Sequence, residues 1–162
     1  MDKKEKEALK IAEICKRLPY GLKLFVDNTI PPCPSSEDYK NGDVLDVITA
    51  DGIYIGDCDY PSIDVREKGH DMVLSVLTPY LRSLDKMTDE EKKELSKKFN
   101  WRISCGEIKI HYHSEGYWDD DTECWFSDYI WLENWLLKHH FDYNGSIKSG
   151  VALEAPDGMY QF

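Results

Sequence analysis

With 162 residues, of which 41% are hydrophobic and 31% charged, the chain is long enough for one domain with a core of its own. Its net charge of −11 repels phosphates and argues against general DNA or RNA binding. No run of about 18 apolar residues is present to form a membrane-spanning helix.

The chain opens on MDKKEKEALK, a charged stretch without the apolar core and cleavage site of a signal peptide, so a cytoplasmic protein is expected. Residues 4–18 read as an amphipathic helix, because Ala8, Ile11, Ala12, Cys15 and Leu18 recur at the spacing of one helical face. Pro19 and Gly21 end it, and a short strand from Leu22 to Val26 follows. Pro31, Pro32, Pro34 and Asn41-Gly42 mark residues 27–42 as a loop.

Val44 to Ala50 and Ile53 to Cys58 are β-prone runs separated only by Asp51-Gly52, a pair that favours the type I′ turn of a two-residue hairpin. Polar residues 59–70 connect onward, with room for a short strand at Ile63 to Arg66, and a β-prone run from Met72 to Leu77 is expected to end before Pro79.

Thr88-Asp89-Glu90-Glu91 has the pattern of a capping box, which predicts a helix from Asp89 to about Phe99. From Glu107 to His113 the residues alternate: Ile108, Ile110 and Tyr112 face one way, Lys109, His111 and His113 the other, as in a half-buried strand. Residues 114–124, with Gly116 and three aspartates, read as a loop. Ser127 or Asp128 can cap a third helix reaching His139, with Ile130, Trp131, Trp135 and Leu136 on its buried side. The tail, with Gly145, Gly150 and Pro156, predicts turns and a brief strand or helical turn. Together these elements predict residues 1–162 to form a single α+β domain, an antiparallel sheet of about four to six strands with three helices packed on it.

No catalytic motif identifies a reaction. The chain lacks GxxxxGK[ST], GxSxG and HExxH. Five cysteines (Cys15, Cys33, Cys58, Cys105, Cys124) fall at irregular spacings without a Cys-x-x-Cys, which reads as reduced thiols rather than a zinc knuckle or thioredoxin-type site. His111-x-His113 could chelate a metal with Cys105, Cys124 or nearby aspartates, but the alternation puts both imidazoles on the polar face, where a solvated role is the plainer reading. Asp119, Asp121 and Glu123 imitate the opening of a calcium loop, yet the sixth and twelfth positions are Cys124 and Ile130 instead of glycine and glutamate. His139-His140 suit a structural position at a helix C-terminus. Neither a cofactor nor a metal is assigned.

Half of the aromatic side chains lie between Tyr112 and Tyr143. Trp131 and Trp135, four residues apart on a helix, read as core. Tyr117, Trp118, Asp119, Asp120 and Asp121 sit in an acidic loop and are the candidate binding residues. Tryptophan beside carboxylates suits a basic or cationic partner through cation–π contacts and ion pairing.

Two segments carry a resemblance. Thr78-Pro79-Tyr80-Leu81-Arg82-Ser83-Leu84, continuing to Met87-Thr88-Asp89-Glu90-Glu91, resembles a block of the form KPYLRPMSSMTEEE. Trp135-Leu136-Leu137-Lys138-His139-His140-Phe141-Asp142-Tyr143, continuing through Gly150 to Pro156, resembles WLNKHHFDYRGLIEKGLALEAP, and Leu18-Pro19-Tyr20-Gly21 is similar to LPYGVK. These blocks belong to a loose family of phage, prophage and mobile-element proteins of Bacteroides-like gut bacteria, which often carry arginine where this chain has Asn144. The resemblance brings no activity and no catalytic residue; it implies an accessory protein in a bacterial host cytoplasm. The function expected is non-enzymatic binding of a host protein or small nucleotide, with blunting of a bacterial defence system as the purpose. A small metal-dependent enzyme on nucleotides or nucleic acid, using His111 and His113, is the first alternative. A structural or packaging component of a phage is the second.

Overall fold

The computed structural model describes residues 1–27, 29, 40–47, 53–54, 62–65, 70–98, 100–104, 107–111 and 126–161. Helix α1 (Lys3–Arg17) begins in a capping box: the Glu5 amide donates to Asp2 and the Asp2 amide to Glu5, both at 2.8 Å. Leu18–Tyr20 tighten into a 3₁₀ turn, and Gly21 takes a left-handed conformation (φ 75°) that turns the chain into β1 (Leu22–Val26).

In β1 every second residue, Leu22, Leu24 and Val26, lies in the core, while Lys23 and Phe25 on the other face are half-buried. β1 pairs antiparallel with β2 (Val44–Val47) on one side and with β6 (Leu77–Leu81) on the other. β6 pairs in parallel with the short β9 (Leu153–Glu154), which gives a four-stranded, mostly antiparallel sheet in the order β2-β1-β6-β9. β3 (Ile53–Tyr54), β4 (Ser62–Val65) and β5 (His70–Val73) form an antiparallel three-stranded sheet, and β7 (Asn100–Ser104) with β8 (Glu107–His111) an antiparallel pair. Helix α2 is Asp89–Ser96 and helix α3 is Phe126–Lys138. The result is a small α+β domain with three helices, in which α1 lies against β6 and α3, and α2 against β7.

Several expectations meet a different outcome. β6 does not stop before Pro79 but runs through it to Leu81. The Asp27 amide donates to the Val76 carbonyl, so the alternation of an antiparallel ladder leaves Leu24↔Pro79 as a non-hydrogen-bonded pair. The nitrogen of Pro79 therefore faces away from β1, and the pairing with β9 starts only at Tyr80. A proline at this position removes no hydrogen bond from the ladder with β1. The described residues of the expected hairpin pair elsewhere, Val44–Val47 with β1 and Ile53–Tyr54 with β4, while Asp51-Gly52 lies outside the described residues. β7 was not expected. Ile130, expected on the buried side of α3, is 41% exposed, whereas Trp135 and Leu136 are buried as expected and Trp131 is half-buried.

Among the described residues, two buried clusters form the interior. One is aliphatic and joins α1 to the four-stranded sheet through Ile14, Leu18, Leu22, Leu24, Val26, Leu45, Val47, Leu77 and Leu81. The other joins α2 to the C-terminal half of α3 through Leu84, Met87, Leu95, Trp135, Leu136 and Phe141.

Candidate functional site

The second cluster encloses a set of ionisable groups. Arg82, just beyond β6, sends Nη1 to Glu91 Oε1 at 2.6 Å and Nη2 to Oε2 at 2.9 Å, a bidentate pair. His139 Nδ1 lies 2.9 Å from Glu91 Oε1, and the Thr88 amide donates to Oε2 at 2.8 Å. Four donors thus meet one carboxylate that is 6% exposed. Burial alone would raise the Glu91 carboxyl. The hydrogen bonds from His139, Arg82 and Thr88 and the guanidinium charge outweigh it and hold the group well below the usual carboxylate range. Because Glu91 is ionised, Nδ1 of His139 must carry the proton it donates.

The rings around this carboxylate are stacked in layers. Trp135 lies 4.4 Å from the His139 ring and 5.8 Å from that of Phe141, and the Arg82 guanidinium sits 4.4 Å above Phe141. Local chain geometry explains how the residues arrive. Helix α3 closes in a Schellman motif: the Phe141 amide donates to the Leu136 carbonyl at 3.0 Å and the His140 amide to that of Leu137 at 3.1 Å. The left-handed position of that motif is occupied by His140 (φ 57°), the one non-glycine residue with positive φ among the described residues. The reversal turns residues 140–142 alongside Arg82, with the Arg82 amide donating to the His140 carbonyl and the Asp142 amide to the Arg82 carbonyl, each at 2.8 Å.

A second buried charge pair reaches the backbone of Phe141. Arg17 of α1 is fully buried, paired with Glu13 one turn earlier, and donates from Nη2 to the Phe141 carbonyl at 2.9 Å. Asn144 donates to Glu13 at 3.1 Å, and Tyr143 donates to Glu133 at 3.0 Å. Burial, followed by the neighbouring Glu133 carboxylate, raises the Tyr143 hydroxyl well above its ordinary range. His140 Nε2 lies 3.0 Å from the Tyr20 carbonyl, and its ring stacks on Tyr160 at 4.2 Å. Burial is the main reason its ring is pushed down to about 4; the nearby positive charges of Arg17 and Arg82 act in the same direction, while the bond to Tyr20 opposes them.

The two histidines that close α3 are buried, and their rings lie at hydrogen-bond distance from Glu91 and from the Tyr20 carbonyl. This arrangement is a fastener. It brings together two segments far apart in the chain, Arg82 and Glu91 from one, His139, His140 and Phe141 from the other.

The expected binding residues Tyr117, Trp118, Asp119, Asp120 and Asp121 lie outside the described residues, as do His113, Cys105 and Cys124. His111 is described as the last residue of β8. Cys15 is a half-buried free thiol that burial pushes up. Among the described residues no group of three His, Cys, Asp or Glu side chains is placed to hold a metal ion. What the structure adds is the N-terminal part of α3, which follows the candidate residues in the chain and in which Tyr129 is 55% and Ile130 41% exposed. Sequence reasoning placed Ile130 in the core and read Glu91 only as a helix cap. The signal available for the second pair was Glu13 and Arg17, an i,i+4 pair beside the apolar stripe of α1.

No protein-family model matches the chain, and neither does any curated protein or solved structure.

Proposed function

We propose that the chain is a non-enzymatic accessory protein of phage or prophage origin that binds a basic host protein. Its proposed contact residues are Tyr117, Trp118, Asp119, Asp120 and Asp121, together with the exposed Tyr129 and Ile130 of α3. The observation that carries this reading is the contrast along α3. At its C-terminal end His139 and His140 are buried, with one ring nitrogen of each at hydrogen-bond distance from Glu91 or from the Tyr20 carbonyl. At its N-terminal end a tyrosine and an isoleucine face solvent, directly after a segment holding Tyr117, Trp118 and three aspartates. Exposed rings and aliphatics rimmed by charge are the composition of a recognition surface, and carboxylates of this density favour a cationic partner. Blunting a defence system of the host is the role that fits a small acidic protein of this kind.

The test is capture from lysate of a Bacteroides-like host. The wild-type chain should retain a basic protein in a salt-sensitive manner. A variant combining Trp118→Ala with Asp119→Asn, Asp120→Asn and Asp121→Asn should lose it at unchanged melting temperature, and Ile130→Asp should weaken it. If no protein is retained, while zinc, manganese or magnesium raises the melting temperature and the shift is lost in His111→Ala, the reading falls and metal-dependent chemistry takes its place.

A further inference from the structure

Glu133, in the second half of α3, carries a half-buried carboxylate that stands apart from the Arg82–Glu91–His139 network. The Tyr143 hydroxyl donates to its Oε1 at 3.0 Å. Among the described residues Oε2 accepts no hydrogen bond, and Oε1 keeps a second lone pair. Burial raises the Tyr143 hydroxyl, so its proton stays in place and the donor role is fixed. The ring that carries it is fixed too. Tyr143 packs on the second buried cluster, and the guanidinium of the fully buried Arg17 lies 5.8 Å from its centroid. Arg17 is already matched by Glu13, so its charge is not available to neutralise Glu133.

The helix adds apolar surface on the same side. Tyr129 and Ile130 precede Glu133 by four and three residues, the spacings at which helical side chains are neighbours. Side chains on a helix lean toward its N-terminus, so Glu133 inclines toward the turn that carries them. Tyr129 is the most exposed large aromatic residue described, at 55%. A carboxylate oriented by a buried tyrosine therefore stands beside an exposed tyrosine and an exposed isoleucine.

We propose that Glu133, Tyr129 and Tyr143 form a clamp for one arginine side chain of a partner protein. The inference rests on the reading of the chain as a binder of a basic protein, and it names the group that is gripped. A guanidinium donates to Oε2 and to the remaining lone pair of Oε1, while its plane and stem lie on the tyrosine and Ile130. Arginine suits this site better than lysine, because its planar fork matches the carboxylate and stacks on a ring. Tyr143 is a positioning residue: it holds the carboxylate in one geometry before the partner arrives, which lowers the ordering cost of binding. Tyrosine and arginine, with an oriented charge between them, are the groups that dominate the energy of interfaces.

The experiment is a titration of the full chain with hexa-arginine and with hexa-lysine, followed by calorimetry and by the backbone amides in NMR spectra. Hexa-arginine should perturb Tyr129, Glu133 and Tyr143 and bind about fivefold tighter than hexa-lysine. Glu133→Gln, which keeps an acceptor for the Tyr143 hydroxyl, should weaken hexa-arginine about tenfold at unchanged melting temperature. Tyr129→Ala should weaken it about fivefold, and Tyr143→Phe about threefold with a smaller preference for arginine. Glu90→Gln removes the same charge from an exposed position on α2 and should stay within about twofold of the wild type. Equal losses in Glu90→Gln and Glu133→Gln, equal affinity for the two peptides, or unperturbed amides at the three residues would each overturn the clamp. So would a dimer of the free chain that Ile130→Asp abolishes, since the face would then belong to a second copy. Host-protein capture that survives Glu133→Gln would overturn the clamp alone. Hexa-arginine held at the three residues, with no host protein retained from lysate, would overturn the basic-partner reading and leave the clamp standing.

Discussion

The two buried clusters of this domain solve the same problem by different means. Under α1 and the four-stranded sheet the contacts are aliphatic, non-directional and numerous, and each leucine contributes in proportion to the surface it hides. Around α2 and the end of α3 a few rings enclose a carboxylate that meets four donors, supplied by the Arg82 guanidinium, the His139 imidazole and the Thr88 amide, each required to meet its partner in one geometry. The first kind of core tolerates substitution of similar volume. The second tolerates almost none of its members being removed singly, because the partner left behind is a desolvated charge.

The sharpest way to break that contrast is Glu91→Ala. It leaves Arg82 and His139 enclosed without their carboxylate and should cost about 4 kcal/mol, read as a fall in the urea midpoint. Replacing Arg82, Glu91 and His139 together by Met, Leu and Phe should cost far less than Glu91→Ala alone. A triple variant as unstable as the single one would show that the ions, not their unpaired remainders, hold the cluster. In the aliphatic region Leu24→Ala should cost about 3 kcal/mol from lost transfer and a residual cavity. There, Leu24→Ile should recover most of the loss, a rescue not expected of any conservative change at Glu91.

Acid sharpens the comparison further, because the titrating groups sit in and beside the second cluster. His140 is held near 4 in the fold against 6.5 when free, so the folded state binds fewer protons than the unfolded chain between those values. Its contribution is therefore complete above about pH 6.5 and is lost as pH falls toward 4, amounting to at most about 3 kcal/mol. Glu91, held below its free value of 4.5, acts with the same sign: its contribution is present above that value and is lost further into acid. The urea midpoint should decline from pH 6.5 downward. In His140→Asn the decline should begin only in the carboxylate range.

Much of the scaffold was legible because its signals are local. The 3.6-residue stripe of α1, the alternation of β1 and of Glu107 to His111, and the capping box of α2 each lie within one element. The departures arise where distant segments decide. Pro79 is tolerated in β6 because of its phase against β1, which no window around the proline contains. β7 is five residues long, Asn100–Ser104, too short for its alternation to stand apart from the helix before it, and is defined by its pairing with β8. Glu91 and His139 are 48 residues apart, so the carboxylate that caps α2 could not be seen to orient a histidine beyond α3. Ile130 has the spacing of a core residue, yet the helix turns that face outward. Of the candidate site, composition alone marks residues 114–124, and the structure adds that Tyr129 and Ile130, a few residues further along the chain, are exposed.

The smallest predicted difference compares two helix caps of the same design. Asp2 and Glu5 exchange hydrogen bonds at the exposed start of α1, and Thr88 and Glu91 do so at the start of α2. In Asp2→Ala one donor in the first turn is left to water, and the cost should be about 0.5 kcal/mol. Thr88→Ala removes the acceptor for the Glu91 amide at 3.2 Å and with it part of the hold on the turn that aims the Glu91 carboxylate at Arg82 and His139. It should cost about 1.5 kcal/mol, at the upper end for a cap. A double-mutant cycle between Thr88→Ala and His139→Phe separates the two contributions, since an ordinary cap does not couple to a side chain beyond α3. A coupling near zero would reduce Thr88 to the same role as Asp2. A coupling of about 1 kcal/mol would make the start of α2 part of the buried network.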